Sequence, residues 1–190
     1  FGRPTITGAE RIPREGPVIL ASNHLTVADS LFLVLMVRRR ITFVAKSEYF
    51  TAPGVVGRMK KWFFTAAGQV PIDRSGGDAA AGALATARRI LADGKVWGIY
   101  PEGTRSPDGR LHKGKTGVAR VALASGAVVI PVTMHGTRKV NPIGTRMWRF
   151  GKVSIRVGEP LDFSRFAPLA DNPNVVRATT DTLMQKLLDL

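Results

Sequence analysis

The sequence contains no cysteine among its 190 residues, and that absence removes several kinds of chemistry at once. Disulfides, thiol nucleophiles and thiolate metal sites all need that residue. Long hydrophobic runs are missing too: the longest unbroken apolar stretch is Leu31–Val37, whereas a bilayer-spanning helix needs about 20 mostly apolar residues. We therefore predict no spanning helix in this sequence, and expect any N-terminal membrane-anchoring segment to lie upstream of Phe1, where the chain starts without methionine.

Acidic and aromatic residues are both scarce. There are 14 Asp+Glu against 28 Lys+Arg, so the net charge is +14. Such an excess favours a polyanionic partner, namely nucleic acid, anionic lipid or a phosphorylated substrate. Aromatic residues make up only 7% and no nucleic-acid-binding motif is recognisable, so we expect no nucleic-acid partner.

Apolar, strand-like runs alternate with helical patterns along the chain. This alternation predicts an α/β fold: a single domain over residues 1–190, with a mostly parallel or mixed central sheet covered by helices. In such sheets, sites form where strands end and helices begin. The predicted strands cover 17–22, 41–46, 69–73, 95–100, 127–133 and 153–157, and the predicted helices cover 29–37, 55–68, 78–93, 116–126 and 175–190.

One such boundary carries the stretch ASNHLTVADS, in which His24 and Asp29 stand five positions apart. On a continuous helix that spacing would place the two side chains about 140° apart around the axis. If His24 lies in the turn and Asp29 in the first helical turn, the carboxylate can instead meet the imidazole. It would then fix the tautomer and leave the second ring nitrogen free to take a proton.

Two other interpretations of this pair stay open. Ser22 and Ser30 are close enough in sequence for a serine nucleophile, although the simplest interpretation is a base that activates a hydroxyl of the substrate. The pair is also compatible with a loop histidine and a helix-capping aspartate that do no chemistry.

The stretch IYPEGTRS follows another predicted strand and brings together groups suited to a phosphate. Arg105 can contact a phosphate through two N–H groups, and Gly103 lets backbone N–H groups approach an anion closely. Glu102 cannot bind phosphate, but it can hold a substrate hydroxyl or lock Arg105 in place. Lys115 and Arg74, the latter at the end of GQVPIDR, can add positive charge.

These blocks occur together and in order. NHLTVAD, GQVPIDR, YPEGTRS and VIPV resemble the four motifs of the glycerolipid acyltransferase family, and the resemblance runs from the strand before His24 to Val132. Two residues depart from the family pattern: Pro71 stands where members often have an aromatic residue, and Tyr100 where they often have phenylalanine.

The resemblance implies the activity and its participants. It implies acyl transfer from acyl-CoA or acyl carrier protein to the free hydroxyl of lysophosphatidic acid, giving phosphatidic acid, with no cofactor and no metal. It implies that His24 is the catalytic base and Asp29 its partner. It also implies that Arg74, Glu102, Gly103 and Arg105 help bind the glycerol phosphate. Thr104, in the same block, and Lys115, shortly after it, are further candidates from their own chemistry, and Lys115 is equally compatible with a solvated basic loop.

An enzyme acting on a lysophospholipid must reach a bilayer, so we expect a peripheral or monotopic protein at the cytoplasmic face of an anionic membrane. Basic residues beside bulky aromatic ones suit such an interface, and two stretches, VVGRMKKWFF and MWRF, have this character. The predicted membrane contacts are Arg58, Lys60, Lys61, Trp62 and Trp148.

Two alternatives to this function remain. A sibling activity would acylate glycerol-3-phosphate or another lysolipid, since every such acceptor needs the same base and a similar clamp. A protein of another class would be a non-catalytic, basic protein that binds membranes or nucleic acid. The charge favours it, but it leaves the pairing of His24 with Asp29 without a purpose.

Overall fold

The structure, a computed structural model, describes residues 3–46, 54, 57–58, 65, 68–72, 79–145 and 147–190. Among these residues, no helix is both long enough and apolar enough to cross a membrane. In chain order the elements are β1 (Thr5–Thr7), a 3-10 turn (Ala9–Arg11), β2 (Val18–Ser22), α1 (Ala28–Met36), β3 (Ile41–Lys46), β4 (Gln69–Ile72), α2 (Ala79–Ala92), β5 (Val96–Ile99), α3 (Gly117–Ser125), β6 (Val128–His135), α4 (Thr137–Val140), β7 (Ser154–Val157), a second 3-10 segment (Ser164–Leu169) and α5 (Pro173–Leu188).

The seven strands form one sheet in the order β1-β7-β6-β2-β5-β3-β4. Every neighbouring pair is parallel except β6 and β7, which are antiparallel. The predicted mixed α/β sheet is therefore confirmed. β4 is the last strand in the order and so lies at an edge of the sheet. Edge strands are the positions at which sheets tolerate proline, which fits the presence of Pro71 in β4.

The central strand β2 shows why the sheet is covered on both faces. All five of its residues are buried, as expected of a strand between two layers of helices. Val18 and Leu20 join the core that includes Phe32 of α1, whereas Ile19 and Ala21 join the core formed with α2, α3 and α5. Because successive side chains point to opposite faces of the sheet, β2 contributes to two separate hydrophobic cores.

The ends of the predicted elements agree with the structure to within two residues wherever the chain is described. The strand after α3 is longer than predicted and reaches His135. Three kinds of element were not predicted: β1, the one-turn helix α4, and the two 3-10 segments. Each is short, so hydrophobic periodicity had few residues in which to show itself.

Most of the predicted helix 55–68 lies outside the described residues, as does Asp78, the first residue of the predicted helix 78–93. Residues 54, 57, 58 and 65 are helical, and Gly68 has the left-handed backbone, φ 70°, of the predicted helix stop. A side chain at Gly68 would also approach the carbonyl oxygen of Ile41 to 2.0 Å, so this position requires glycine twice over.

Candidate active site

The parallel register places the ends of β2 and β5 side by side. Ala21 pairs with Ile99, so the loops that follow, carrying His24 and Glu102, leave the same edge of the sheet. This carboxyl edge is where α/β proteins generally build their sites.

The predicted contact between the imidazole and the carboxylate is present. His24 Nδ1 lies 3.0 Å from Asp29 Oδ2; the histidine side chain is 17% exposed and the aspartate side chain 0%. Because a carboxylate only accepts hydrogen bonds, the shared proton sits on Nδ1. Nε2 has no hydrogen-bond partner among the described residues, so it is the nitrogen that can accept a proton.

The carboxylate of Asp29 also builds the turn that carries the histidine. Its Oδ2 atom accepts hydrogen bonds from the backbone N–H groups of Leu25 (2.6 Å) and Thr26 (2.8 Å). Thr26 Oγ1 accepts from the N–H of Ala28 at 3.0 Å, which satisfies a donor at the start of α1. Oδ1 of Asp29 is buried and has no partner in the described part of the chain.

The backbone of His24 is held from both sides by the loop after β5. Its N–H donates to Glu102 Oε1 at 3.0 Å, and its carbonyl accepts from the N–H of Ser106 at 2.7 Å. The other carboxylate oxygen of Glu102 accepts from the N–H of His112 at 3.0 Å. The two predicted motif loops are therefore joined into one unit through the imidazole-bearing residue.

The structure does not show Glu102 as a lock on Arg105, and its role as a holder of a substrate hydroxyl stays a prediction. The residue is 4% exposed, and both of its carboxylate oxygens accept backbone hydrogen bonds. No ion pair joins it to Arg105, although both residues are described. The carboxylate is aimed into the protein because two neighbouring loops present N–H groups there, which spacing in the sequence did not reveal.

Tyr100 lies against the imidazole, a contact that the sequence did not predict. The two rings stack with centroids 3.8 Å apart and an interplanar angle of 11°. Phe43 also stacks on Tyr100, with ring centroids 5.6 Å apart. The Tyr100 hydroxyl shares a 2.7 Å hydrogen bond with Ser30. Burial and, to a smaller extent, the charge of Asp29 raise the pKa of this hydroxyl well above its ordinary value, so it stays protonated.

Ser30 is thus engaged with Tyr100, and Ser22 donates to the backbone oxygen of Asn23. Neither hydroxyl is hydrogen-bonded to His24 in the structure, so the geometry does not favour a serine nucleophile. The remaining free position, Nε2 of His24, suits a hydroxyl that arrives with a substrate.

The phosphate-binding candidates after β5 are exposed and basic. Gly103 has a left-handed backbone, φ 73°, and a side chain there would meet Lys115 carbon atoms at 2.9 and 3.0 Å. Lys115 therefore lies across the glycine, and its backbone N–H donates to Pro101 O at 2.8 Å. Thr104 and Arg105 are exposed next to it. The structure thus brings Lys115 to Gly103 and leaves all four predicted residues exposed.

The loop continues through a second, more exposed carboxylate. Asp108 accepts hydrogen bonds from Ser106 Oγ, the N–H of Arg110 and, at 2.8 Å, His112 Nε2. The Arg110 N–H, followed by His112, lowers the pKa of Asp108 far below its ordinary value. His112 therefore makes two contacts here, its backbone N–H with Glu102 and its ring with Asp108.

The other predicted residues are placed as follows. Arg74, Lys60, Lys61 and Trp62 lie outside the described residues. Arg58 is helical and exposed, and Trp148 is 37% exposed. No group of three or more His, Cys, Asp or Glu side chains suited to a metal ion occurs in the described ranges. A cavity of about 240 Å³ lies between the second 3-10 segment and α5, and no candidate site residue lines it.

The structure combines a mixed α/β sheet with an oriented imidazole and basic residues in the loops at its carboxyl edge. This arrangement is suited to activating a hydroxyl that lies close to an anionic group. The chain belongs to the acyltransferase family, whose model, described as Acyltransferase, matches residues 3–135.

Three relatives illustrate the similarity. The 1-acyl-sn-glycerol-3-phosphate acyltransferase LPAT1 of Arabidopsis thaliana, a chloroplastic protein, is 30% identical over 167 residues, which is 87% of this chain and 45% of the relative. The 1-acyl-sn-glycerol-3-phosphate acyltransferase of Bacillus subtilis is 26% identical over 100% of this chain and 88% of its own length. The crystal structure of the 1-acyl-sn-glycerophosphate (LPA) acyltransferase PlsC from Thermotoga maritima has a TM-score of 0.66 and 28% identity, covering 95% of this chain and 72% of that one.

The chain spans about half the length of several curated relatives that it matches, including LPAT1 and related proteins from Brassica napus and Chlamydomonas reinhardtii.

Proposed function

We propose that this chain, a single acyltransferase domain over residues 1–190, moves a fatty acyl group from a thioester to the free hydroxyl of 1-acyl-sn-glycerol-3-phosphate, forming phosphatidic acid. The observation that carries the proposal is the 3.0 Å contact between His24 Nδ1 and the fully buried Asp29, which leaves Nε2 available. The names of the relatives support the choice of acceptor.

In the reaction, Nε2 of His24 takes the proton of the acceptor hydroxyl while the hydroxyl oxygen attacks the thioester carbonyl. Asp29 stabilises the imidazolium that forms. The tetrahedral intermediate collapses, its C–S bond breaks, and the thiolate leaves and takes the proton from the imidazolium. One ester bond replaces one thioester bond, and the imidazole returns to its starting state.

The phosphate of the acceptor is proposed to bind the basic side of the loop after β5. Arg105 and Lys115 are exposed there, and Gly103 and Thr104 can offer backbone and hydroxyl donors. Arg74 follows β4 in sequence and is proposed to contribute a further guanidinium. We propose that Glu102 chiefly positions the His24 loop, because its two oxygens accept the N–H groups of His24 and His112.

The donor is proposed to be acyl-CoA or acyl carrier protein, and the step as written uses no cofactor. A lysophospholipid acceptor places the reaction at an anionic membrane surface. We propose a peripheral or monotopic association with the cytoplasmic face, supported by the net charge of +14 and the exposure of Arg58 and Trp148.

Thiol release tests this function directly. The purified chain is mixed with acyl-CoA and a thiol reagent, with lysophosphatidic acid, glycerol-3-phosphate, another lysolipid or no acceptor. We expect release that depends on lysophosphatidic acid, with phosphatidic acid as the product. Release with glycerol-3-phosphate alone would establish the sibling activity, and no release with any acceptor would refute acyl transfer from this donor.

A further inference from the structure

Large apolar side chains that face solvent are concentrated in two segments. The first is the turn that carries Val27, which lies between His24 and Asp29 in the sequence. The second is the connection from α4 to β7, residues 141–152, which we call the apolar loop. Their exposed fractions are Val27 54%, Ile143 41%, Met147 79%, Trp148 37% and Phe150 84%, five of the eight exposed large hydrophobics in the described residues.

Both segments leave the sheet at the edge that carries the site. β6 runs parallel to β2 and pairs Val132 with Ser22, so the chain emerges from β6 next to the His24 loop. The side chain of Asn23 extends this pairing by two hydrogen bonds to the backbone of Met134, at 2.7 and 3.1 Å.

A hydrogen bond also ties the start of the connection to the loop after β5. Arg138, in the one-turn helix before the apolar loop, donates from its guanidinium to the carbonyl of Pro107 at 2.6 Å. The apolar loop itself is closed by the Arg149 N–H, which donates to Val140 O at 2.7 Å. The exposed side chains therefore project from a segment that is fastened to the candidate site.

The charge of this connection has one sign. Residues 135–153 contain five Lys or Arg residues and no Asp or Glu. Exposed methionine and aromatic side chains surrounded by cations are the composition of a segment that lies in the headgroup region of an anionic bilayer. Tryptophan, with an apolar ring and a polar N–H, suits the same depth.

We propose that the apolar loop, together with Val27, inserts into the interface of an anionic bilayer and holds the carboxyl edge of the sheet against the membrane. The orientation follows from the topology, because the loop and His24 share one edge. Resting on the proposed function, this docking surface lets a lysophospholipid present its hydroxyl to Nε2 while its acyl chain remains in the bilayer.

Vesicle binding by the full chain tests the surface without requiring turnover. The chain is sedimented with vesicles of phosphatidylcholine alone or mixed with phosphatidylglycerol. We expect binding to the anionic vesicles, a blue shift of Trp148 emission, and quenching by lipids brominated on their acyl chains. Trp148→Phe identifies which part of the emission change belongs to this residue.

The double substitution Met147→Ser with Phe150→Ser removes apolar area and leaves the charge unchanged. We expect its affinity for anionic vesicles to fall about tenfold or more. The matched control is Leu35→Ser: Leu35 is 66% exposed, but it lies in the last turn of α1, which approaches the opposite edge of the sheet. This control should bind as the unchanged chain does.

Two results would overturn the docking surface. One is a double variant that folds, by circular dichroism, and binds anionic vesicles as tightly as the unchanged chain. The other is a chain that dimerises in solution through the apolar loop and becomes monomeric in the double variant, because the occupant would then be a second copy. Loop-dependent vesicle binding without any acyl transfer would refute the proposed function and support the docking surface.

Discussion

At the scale of single residues, the candidate site is defined by how completely His24 is restrained. Its Nδ1 meets Asp29, its ring stacks on Tyr100, its N–H donates to Glu102 and its carbonyl accepts from Ser106. Within the described part of the chain, every polar atom of the residue except Nε2 has a partner. A base fixed in this way loses little freedom when a hydroxyl approaches, which is what an efficient proton transfer requires.

Asp29→Asn separates the charge of the carboxylate from its geometry. All three contacts of Asp29 go to Oδ2, and Oδ1 has none among the described residues, so an asparagine oxygen can accept all three hydrogen bonds. We expect kcat to fall roughly a hundredfold, because the imidazolium loses its counter-charge, while KM for the acceptor changes little. The free energy of unfolding should fall by only about 1–2 kcal/mol, the cost of burying an unpartnered amide N–H.

The opposite pattern would contradict this account of Asp29. A variant with unchanged kcat and a large loss of stability, measured by urea unfolding, would mean that the carboxylate serves the turn and not the reaction.

Tyr100→Phe tests whether the hydroxyl or the ring of Tyr100 positions the imidazole. The variant keeps the stacked ring and loses the hydrogen bond to Ser30, so we expect a loss of about 1 kcal/mol in the free energy of unfolding and less than tenfold in kcat. Ser30→Ala should have the same effect, and the double variant should add little to either single one, since both remove one interaction. Tyr100→Leu should lower kcat further.

A Tyr100→Leu variant with unchanged kcat would show that the stacked ring does not position His24. Additive losses in the double variant would show that Tyr100 and Ser30 act independently.

At the scale of elements, the site depends on two loops joined by one carboxylate. Glu102 receives an N–H from the His24 loop on one oxygen and an N–H from the segment at His112 on the other. Glu102→Gln keeps the shape but replaces one acceptor by an N–H₂ group that faces a donor. We expect a loss of about 1–3 kcal/mol in the free energy of unfolding and a lower kcat with a smaller change in KM.

Glu159→Gln is the matched control for Glu102→Gln, because it makes the same chemical change at a side chain that is 73% exposed and pairs with Arg11 instead of with the His24 loop. If Glu102→Gln raised the acceptor KM and left kcat unchanged, Glu102 would belong to the substrate clamp after all.

Local patterns predicted the elements and the first pair of the site. The run before His24 is buried over its full length, and the spacing to Asp29 fits a turn followed by a helix, so both were accessible from neighbouring residues. The partners of Glu102 were not, because they depend on the register between β2 and β5. The stacking of Tyr100 depends on the same register. The three-residue strand β1 carries too few alternating residues to be recognised.

At the scale of the whole molecule, two features are expected to act together in membrane binding. One is the net charge of +14, and the other is the placement of the candidate site and the apolar loop at the same edge of the sheet. Attraction between exposed charges weakens as salt shortens the Debye length from about 10 Å at 0.1 M to about 3 Å at 1 M. We expect association with phosphatidylglycerol vesicles to weaken steeply over that range, with the residual binding supplied by the apolar loop. Sedimentation at several salt concentrations measures the electrostatic and the apolar contributions to vesicle binding. Binding that does not change with salt would exclude the electrostatic contribution.

The measurement that tests the central claim most directly is the turnover of His24→Ala. Circular dichroism and urea unfolding must first show that the variant folds, since Tyr100 and Asp29 both contact the imidazole. With lysophosphatidic acid and acyl-CoA, we expect kcat to fall by about 10²- to 10⁴-fold, the contribution of a positioned general base. A folded variant that still forms phosphatidic acid within a few-fold of the unchanged rate would contradict the claim that His24 activates the acceptor hydroxyl.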